Sequence, residues 1–297
     1  MNIKAHIFSD LSWRRLIIGL CITGVLSLSV HAVMLQWLHV PYPAAPMESW
    51  LPEFINNVTM VWAANWLYGC LRAQCPSRSS VYRVFVLFLL LTGLNETLRS
   101  WFMNGYCSTG QKTQWLYQTL GSLQHVAYYA LVATLVATMS GHSKAGWKLA
   151  IALALGGLLT FAVTPGLNAA SAAVLYHFQD WAPTGGWCQL PYGPVVLIPA
   201  YLTFIEPLAA CLCCVAFAWR QLGARRFMRA CQFALLILAL KKQLFMSFLY
   251  AIYAPMPAWT ALLSMGQFTL EAAALGLCMA LSWRYANGSV AIRPSRR

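Results

Sequence analysis

Six ionisable residues stand where water is scarce. Glu96, Arg99, Glu206, Lys241, Lys242 and Glu271 all fall inside long apolar stretches. A charge at the centre of a bilayer costs about 2.5–3.5 kcal/mol even on lenient scales, so it faces a partner or a water-filled cavity. In "LNETLRS", Glu96 and Arg99 lie one helical turn apart and are expected to pair within a single span. Glu206 directly precedes Pro207, which removes the N–H that would bond the Thr203 carbonyl. A bent helix with a freed carbonyl beside a carboxylate suits an ion or a proton. Adjacent residues on a helix point about 100° apart, so Lys241 and Lys242 address different neighbours. Their expected counter-ions are Glu206 and Glu271, one lysine each. Asn95 and Gln267 add polar support, as does a stripe of Gln118, Ser122, His125 and Tyr129. The chemistry open to such a set is proton coupling or the binding of a charged solute.

These residues have to be positioned by membrane helices. Sixty per cent of the 297 residues are hydrophobic, only 9% are charged, and the mean hydropathy is +0.60. A soluble domain carries about 25% charged residues. Hydrophobic periodicity and length give eight spans, at about 16–38, 52–72, 84–103, 115–139, 149–166, 194–219, 230–254 and 260–283. The predicted class is therefore an all-α polytopic bundle, a single integral membrane domain over residues 1–297. Pro165 and Gly166 are expected to end the fifth span, leaving the next segment on the outer interface.

The formal charge of +13 is a topology signal rather than a nucleic-acid footprint. Arg99, Lys241 and Lys242 lie within spans and Lys112 alone falls on the outer side. Every other Lys and Arg falls on one face, which the positive-inside rule makes cytoplasmic along with both termini. Asp10 joins that face, while Glu48, Glu53 and Asp180 lie outside. Within the spans, three acidic residues balance three basic ones. The first apolar stretch, Leu16 to Leu38, exceeds a signal-peptide core of about 7–15 residues, so no cleavage is expected. A bacterial inner (plasma) membrane is the expected location. A shift that places Phe85 on Phe233 and Asn95 on Gln243 is compatible with two four-helix halves.

Of 10 cysteines, only Cys107 and Cys188 fall on the outer side, where an oxidising compartment favours a disulfide between them. Cys211, Cys213 and Cys214 are read as small packing residues rather than a soft-metal site, and no metal is expected. His31 and His125 are a weak candidate pair of haem ligands, so no cofactor is expected.

The leading reading of function is a secondary transporter or flippase that uses the buried charges. Its expected partners are the lipid bilayer and protons or a small charged or lipidic solute, with no nucleic acid. A non-catalytic subunit or sensor of a membrane complex is the alternative. A second alternative is an outer-face thiol enzyme, with Cys107 as nucleophile, His39 or His177 as base and Arg99 stabilising an anion. That set resembles exosortase-like transpeptidases at "CSTG", Cys107 to Gly110. The later helices lack the arginine motif of that family, so membership is not assigned and the balance leans against an enzyme.

Overall fold

Apolar stretches with few internal breakers become helices, and here they do so almost throughout. The computed structural model describes residues 11–43, 45–47, 49–108, 112–139, 145–223 and 225–287. Lys4, Asp10, Glu48, Lys144, Arg293, Arg296 and Arg297 lie outside the described residues, as do Thr109 and Gly110 of "CSTG".

The chain forms α1 (Trp13–His31, continued by a π-turn at Ala32–Trp37), α2 (Leu51–Gln74), α3 (Ser80–Leu94), α4 (Thr97–Cys107) and α5 (Lys112–Met139). There follow α6 (Ala145–Leu158), a π-turn at Leu159–Val163, and α7 (Thr164–Tyr176). The last five are α8 (Pro194–Thr203), α9 (Ile205–Ala218), α10 (Arg226–Leu240), α11 (Met246–Tyr253) and α12 (Ala258–Asn287). Among the described residues, five helical runs are long and apolar enough to cross a membrane, and six if α3 and α4, bent by 41°, form one span. Many of their large side chains, Ile17, Ile22, Leu202 and Leu270 among them, point outward, as expected of an integral membrane protein.

Two expected helices are broken at their charged residues. α3 and α10 are each 15 residues long, and the second residue past each, Glu96 and Lys242, has φ of 57°. Beyond α10 the Lys242 N–H bonds the Ala239 carbonyl and the Gln243 N–H bonds the Leu238 carbonyl. This is the nested closure that normally takes glycine at the left-handed position. After α3 the Glu96 N–H bonds the Gly93 carbonyl, and the Thr97 hydroxyl donates to the Thr92 carbonyl. Neither segment carries a glycine or proline at the break, so periodicity alone runs straight through both.

The fifth expected span differs in the other direction. Helix continues from Gly146 to Tyr176, past Pro165. The proline sits in the first turn of α7, directly after the π-turn. There its missing N–H falls at a junction already out of α-helical register.

Packing follows small residues. A Cβ on Gly19 of α1 would sit 2.5 Å from the Cβ of Ser282 on α12, and Thr23 bonds the Gly19 carbonyl at 2.7 Å. α12 packs on α1, α10 and α11, while α5 packs on α7, α3 and α4. One contiguous core carries Leu67, Tyr68, Leu91, Phe204 and Phe233.

Gly276 marks a close approach of α12 to α10, because a Cβ there would meet Ala234 Cα at 2.8 Å. Gly276→Val is expected to cost about 1–3 kcal/mol through overpacking. Gly266→Ala, with nothing within 4 Å, is expected to be neutral or stabilising. Thermal unfolding of the two purified variants checks the contrast, and equal midpoints would refute the tight α10–α12 contact.

Candidate functional site

The two helix breaks lie against each other. Asn95, just past α3, donates its side-chain N–H to the Leu91 carbonyl at 2.9 Å and to the Leu240 carbonyl of α10 at 3.2 Å. One amide thus joins the last turns of both broken helices: the Leu91 carbonyl also accepts from the Asn95 backbone N–H, whereas the Leu240 carbonyl lies at the helix end, where no intrahelical donor follows. The ionisable side chains gather around this crossing.

Lys241 is the centre. Its ammonium donates to Glu96 and, at 3.1 Å, to Glu271 of α12. Glu96 also accepts from Arg99, as its spacing predicts. The second oxygen of Glu271 lies 2.5 Å from His31 Nε2. The side chain of Glu271 is 3% exposed and that of Lys241 8%, so neither charge is left to bulk water. His31 Nδ1 lies 2.9 Å from Oε1 of Gln267, whose own N–H donates to the Ser264 carbonyl at 2.8 Å. That donation fixes the Gln267 amide with its oxygen toward the imidazole. Both ring nitrogens of His31 therefore face acceptors, which calls for a proton on each.

Glu206 plays another part. It is not a lysine counter-ion: its oxygens accept from the backbone N–H groups of Leu98 at 3.0 Å and Arg99 at 2.6 Å. These are free donors in the first turn of α4, where a carboxylate is favoured both as a hydrogen-bond acceptor and by the helix dipole. Glu96 occupies the N-cap position, but its side chain is committed to Arg99 and Lys241. A residue from α9 supplies the cap instead.

Lys242 is also reassigned. The left-handed turn sends it away from the carboxylates, and its ammonium lies 4.3 Å from the centre of the Tyr128 ring, a cation–π contact. Tyr128 in turn donates to Asn57 at 2.7 Å. Gln118 and His125 join Asn95 around a separate cavity of about 260 Å³ against α5. His125 and His31 line different cavities.

His31 was the member least legible in the sequence. A lone histidine in the first apolar run carried the only signal, and its partners on α12 lie far away in the chain.

A cavity of about 480 Å³ adjoins the network. His31 and Arg99 line it together with Leu28, Leu35, Val196 and Leu197, which make it largely apolar, and with Cys107 and Cys188. A smaller cavity of about 260 Å³ shares His31, Arg99, Ser100 and Phe268 and reaches Glu96, Lys241 and Glu271. Cys107 and Cys188 are disulfide-bonded, with Cα atoms 5.2 Å apart. Around them the Trp187 N–H donates to the Cys107 carbonyl at 3.0 Å and the Trp187 indole to the Tyr106 carbonyl at 2.8 Å. The bridge pins the loop before α8 to the end of α4. It also leaves Cys107 without the thiolate that a nucleophilic enzyme requires. Cys211 and Cys214 are buried, while Cys213 is exposed.

Compared with protein families, curated proteins and solved structures, the chain matches none of them.

Two outcomes follow. Lys241→Met removes the cation that Glu96 and Glu271 share, leaving each with one partner, and should cost about 3–5 kcal/mol, the usual penalty for removing one partner of a buried ion pair. Lys241→Met with Glu271→Gln should recover part of that loss. Lys242→Gly removes a cation but relieves a left-handed non-glycine residue, so it should change stability by no more than about 1 kcal/mol. Unfolding midpoints that rank Lys242→Gly as the worse variant would refute this assignment. Separately, Cys107 and Cys188 should react with maleimide only after reduction. Labelling of Cys107 in intact cells without reductant would refute the bridge.

Proposed function

We propose that the protein is a secondary transporter or flippase of the bacterial inner membrane. In this reading it has eight spans and cytoplasmic termini, and its buried charges form the coupling site. The observation that carries the proposal is the meeting of two broken helices, through Asn95 and Leu240, beside a cavity and around shared carboxylates. Discontinuous helices free backbone groups and helix-end dipoles at mid-membrane depth, and transporters use such ends to hold ions and substrate groups. Non-glycine residues in left-handed conformation cost about 1–3 kcal/mol each and persist where surrounding contacts impose them, often at functional sites.

The proposed topology draws on where the basic residues fall. Arg14, Arg15, Arg72, Arg83, Arg229 and Arg284 lie at helix ends that share one side in an alternating eight-span path. Lys112 lies at the opposite ends, with the Cys107–Cys188 disulfide.

Two four-helix halves complete the proposal. Each half begins with a helix carrying a π-turn, and each contains a 15-residue helix closed by a left-handed charged residue. α12 of one half packs on α1 of the other, as α5 packs on α7. Register set by the breaks places Glu96 on Lys242, two residues from the register given by Asn95 and Gln243. Halves in parallel orientation would put both breaks at one depth, in keeping with their contact.

Transport requires that the crossing be reached from both faces in turn. Gln243→Cys, which lines the smaller cavity with Glu96 and Lys241, is expected to label with a membrane-impermeant maleimide from outside in right-side-out vesicles. It should also label from inside in inverted ones. Reactivity from one face only would defeat the transport reading and favour a docking or sensing role. Reporter fusions after residue 297 and within 220–229 should report cytoplasm, and those within 183–190 the exterior; an exterior C-terminus would overturn the eight-span path.

A further inference from the structure

The buried ion pairs form a chain, and the chain is incomplete. In order it runs His31, Glu271, Lys241, Glu96, Arg99, alternating cation and carboxylate. Both ends are cations, given a proton on each nitrogen of His31. Glu206 makes no ion pair with this chain, its oxygens accepting instead from the N–H groups of the first turn of α4. Lys242 faces Tyr128 on the other side of the break. Three cations therefore share two carboxylates, and the two outer cations both line the 480 Å³ cavity.

Arg99 is also short of partners. Its Nε is buried without a hydrogen-bond partner among the described residues, while one terminal nitrogen serves Glu96. A guanidinium presents five donors in a planar fork that matches a carboxylate. In the same cavity, Leu28, Leu35, Met103, Val196 and Leu197 provide apolar walls, and Tyr192 and Asn104 add polar groups. A cavity of this size falls within the range of about 300–1,000 Å³ that takes small organic ligands.

We propose that the cavity binds a small organic monoanion, a carboxylate with an apolar body. Its head lies between Arg99 and His31, where it completes the alternating chain, and its body lies between α1 and α8. The unpartnered Nε–H of Arg99 offers a donor for one carboxylate head, and the apolar walls favour an organic acid over an inorganic ion. The proposal names the substrate class of the transport site above, but it is a binding claim and is tested as one.

The full-length protein carrying Met103→Cys is purified in detergent, where no gradient exists and transport plays no part. N-ethylmaleimide labelling at residue 103 is followed by peptide mass spectrometry. The probes are 3-phenylpropionate, 3-phenylpropanol, 3-phenylpropylamine and sodium sulfate. 3-Phenylpropionate at about ten times its Kd should slow labelling about tenfold, because only empty sites react. The alcohol, the amine and sulfate should leave the rate within about twofold of the unliganded value, their occupancy being low at that concentration. Arg99→Gln should abolish the protection. Because that variant also disturbs the ion chain, Leu197→Trp serves as a second, filling the apolar wall while leaving every charge in place; it too should abolish protection. Equal protection by the alcohol, stronger protection by the amine, protection by sulfate alone, or undiminished protection in folded Arg99→Gln protein would each overturn the proposal. Absence of protection by every probe would overturn it as well. Protection in detergent together with one-sided labelling of Gln243→Cys would leave the anion site standing and remove transport.

Discussion

A single ammonium group, that of Lys241, lies between the carboxylates of Glu96 and Glu271. It joins α12 to the breaks that end α3 and α10, and through His31 it extends to α1. Such a centre is one-sided in its energetics. Two desolvated charges that satisfy each other gain little over an apolar pair, but removing one leaves the other buried and uncompensated. The arrangement therefore specifies which helix ends meet more than it adds to stability.

Around that centre, the ends of helices are served by residues from elsewhere. A helix broken in an apolar environment exposes N–H and C=O groups that water does not satisfy, at a cost of several kcal/mol each. Asn95 takes the last carbonyls of its own helix and of α10, and Glu206 takes the first amides of α4. Side chains that would ordinarily cap their own helices are drawn into ion pairs, and neighbours replace them. The site is thus made of side-chain charges and helix termini together.

The frame that holds the crossing open is built differently. Close approach at Gly19 and Gly276 brings α1 and α10 against α12, a van der Waals contact suited to membranes, where apolar burial gives helices no preference for each other over lipid. The disulfide and the Trp187 hydrogen bonds fix the loop before α8 to α4. Between these fixed lines, α1, α4 and α8 stand apart far enough to leave the larger cavity. Close packing on one side and space on the other is the arrangement a binding site needs.

Much of this was legible in the sequence. Runs of apolar residues located the helices, since only a long apolar segment with its backbone bonded internally tolerates lipid. The Glu96–Arg99 pair followed from helical spacing, and Cys107 and Cys188 were singled out by their side of the membrane. The breaks were not legible, because Glu96 and Lys242 hold a conformation usually marked by glycine. Nor were the partners of Lys241 and Glu206. An apolar span records that its charges must be neutralised, and composition even counted three against three. Which carboxylate meets which cation depends on how helices distant in sequence cross. The turn past α10 sends Lys241 and Lys242 to opposite sides of the break, and the α4 amides offer Glu206 a better partner than either lysine. His31 acquires two acceptors only when α1 lies along Gln267 and Glu271. Apolar composition was enough to make the chain helical and to show which charges it must bury; their pairing was settled by tertiary packing, because ion pairs form between atoms a few ångströms apart, whatever their separation along the chain.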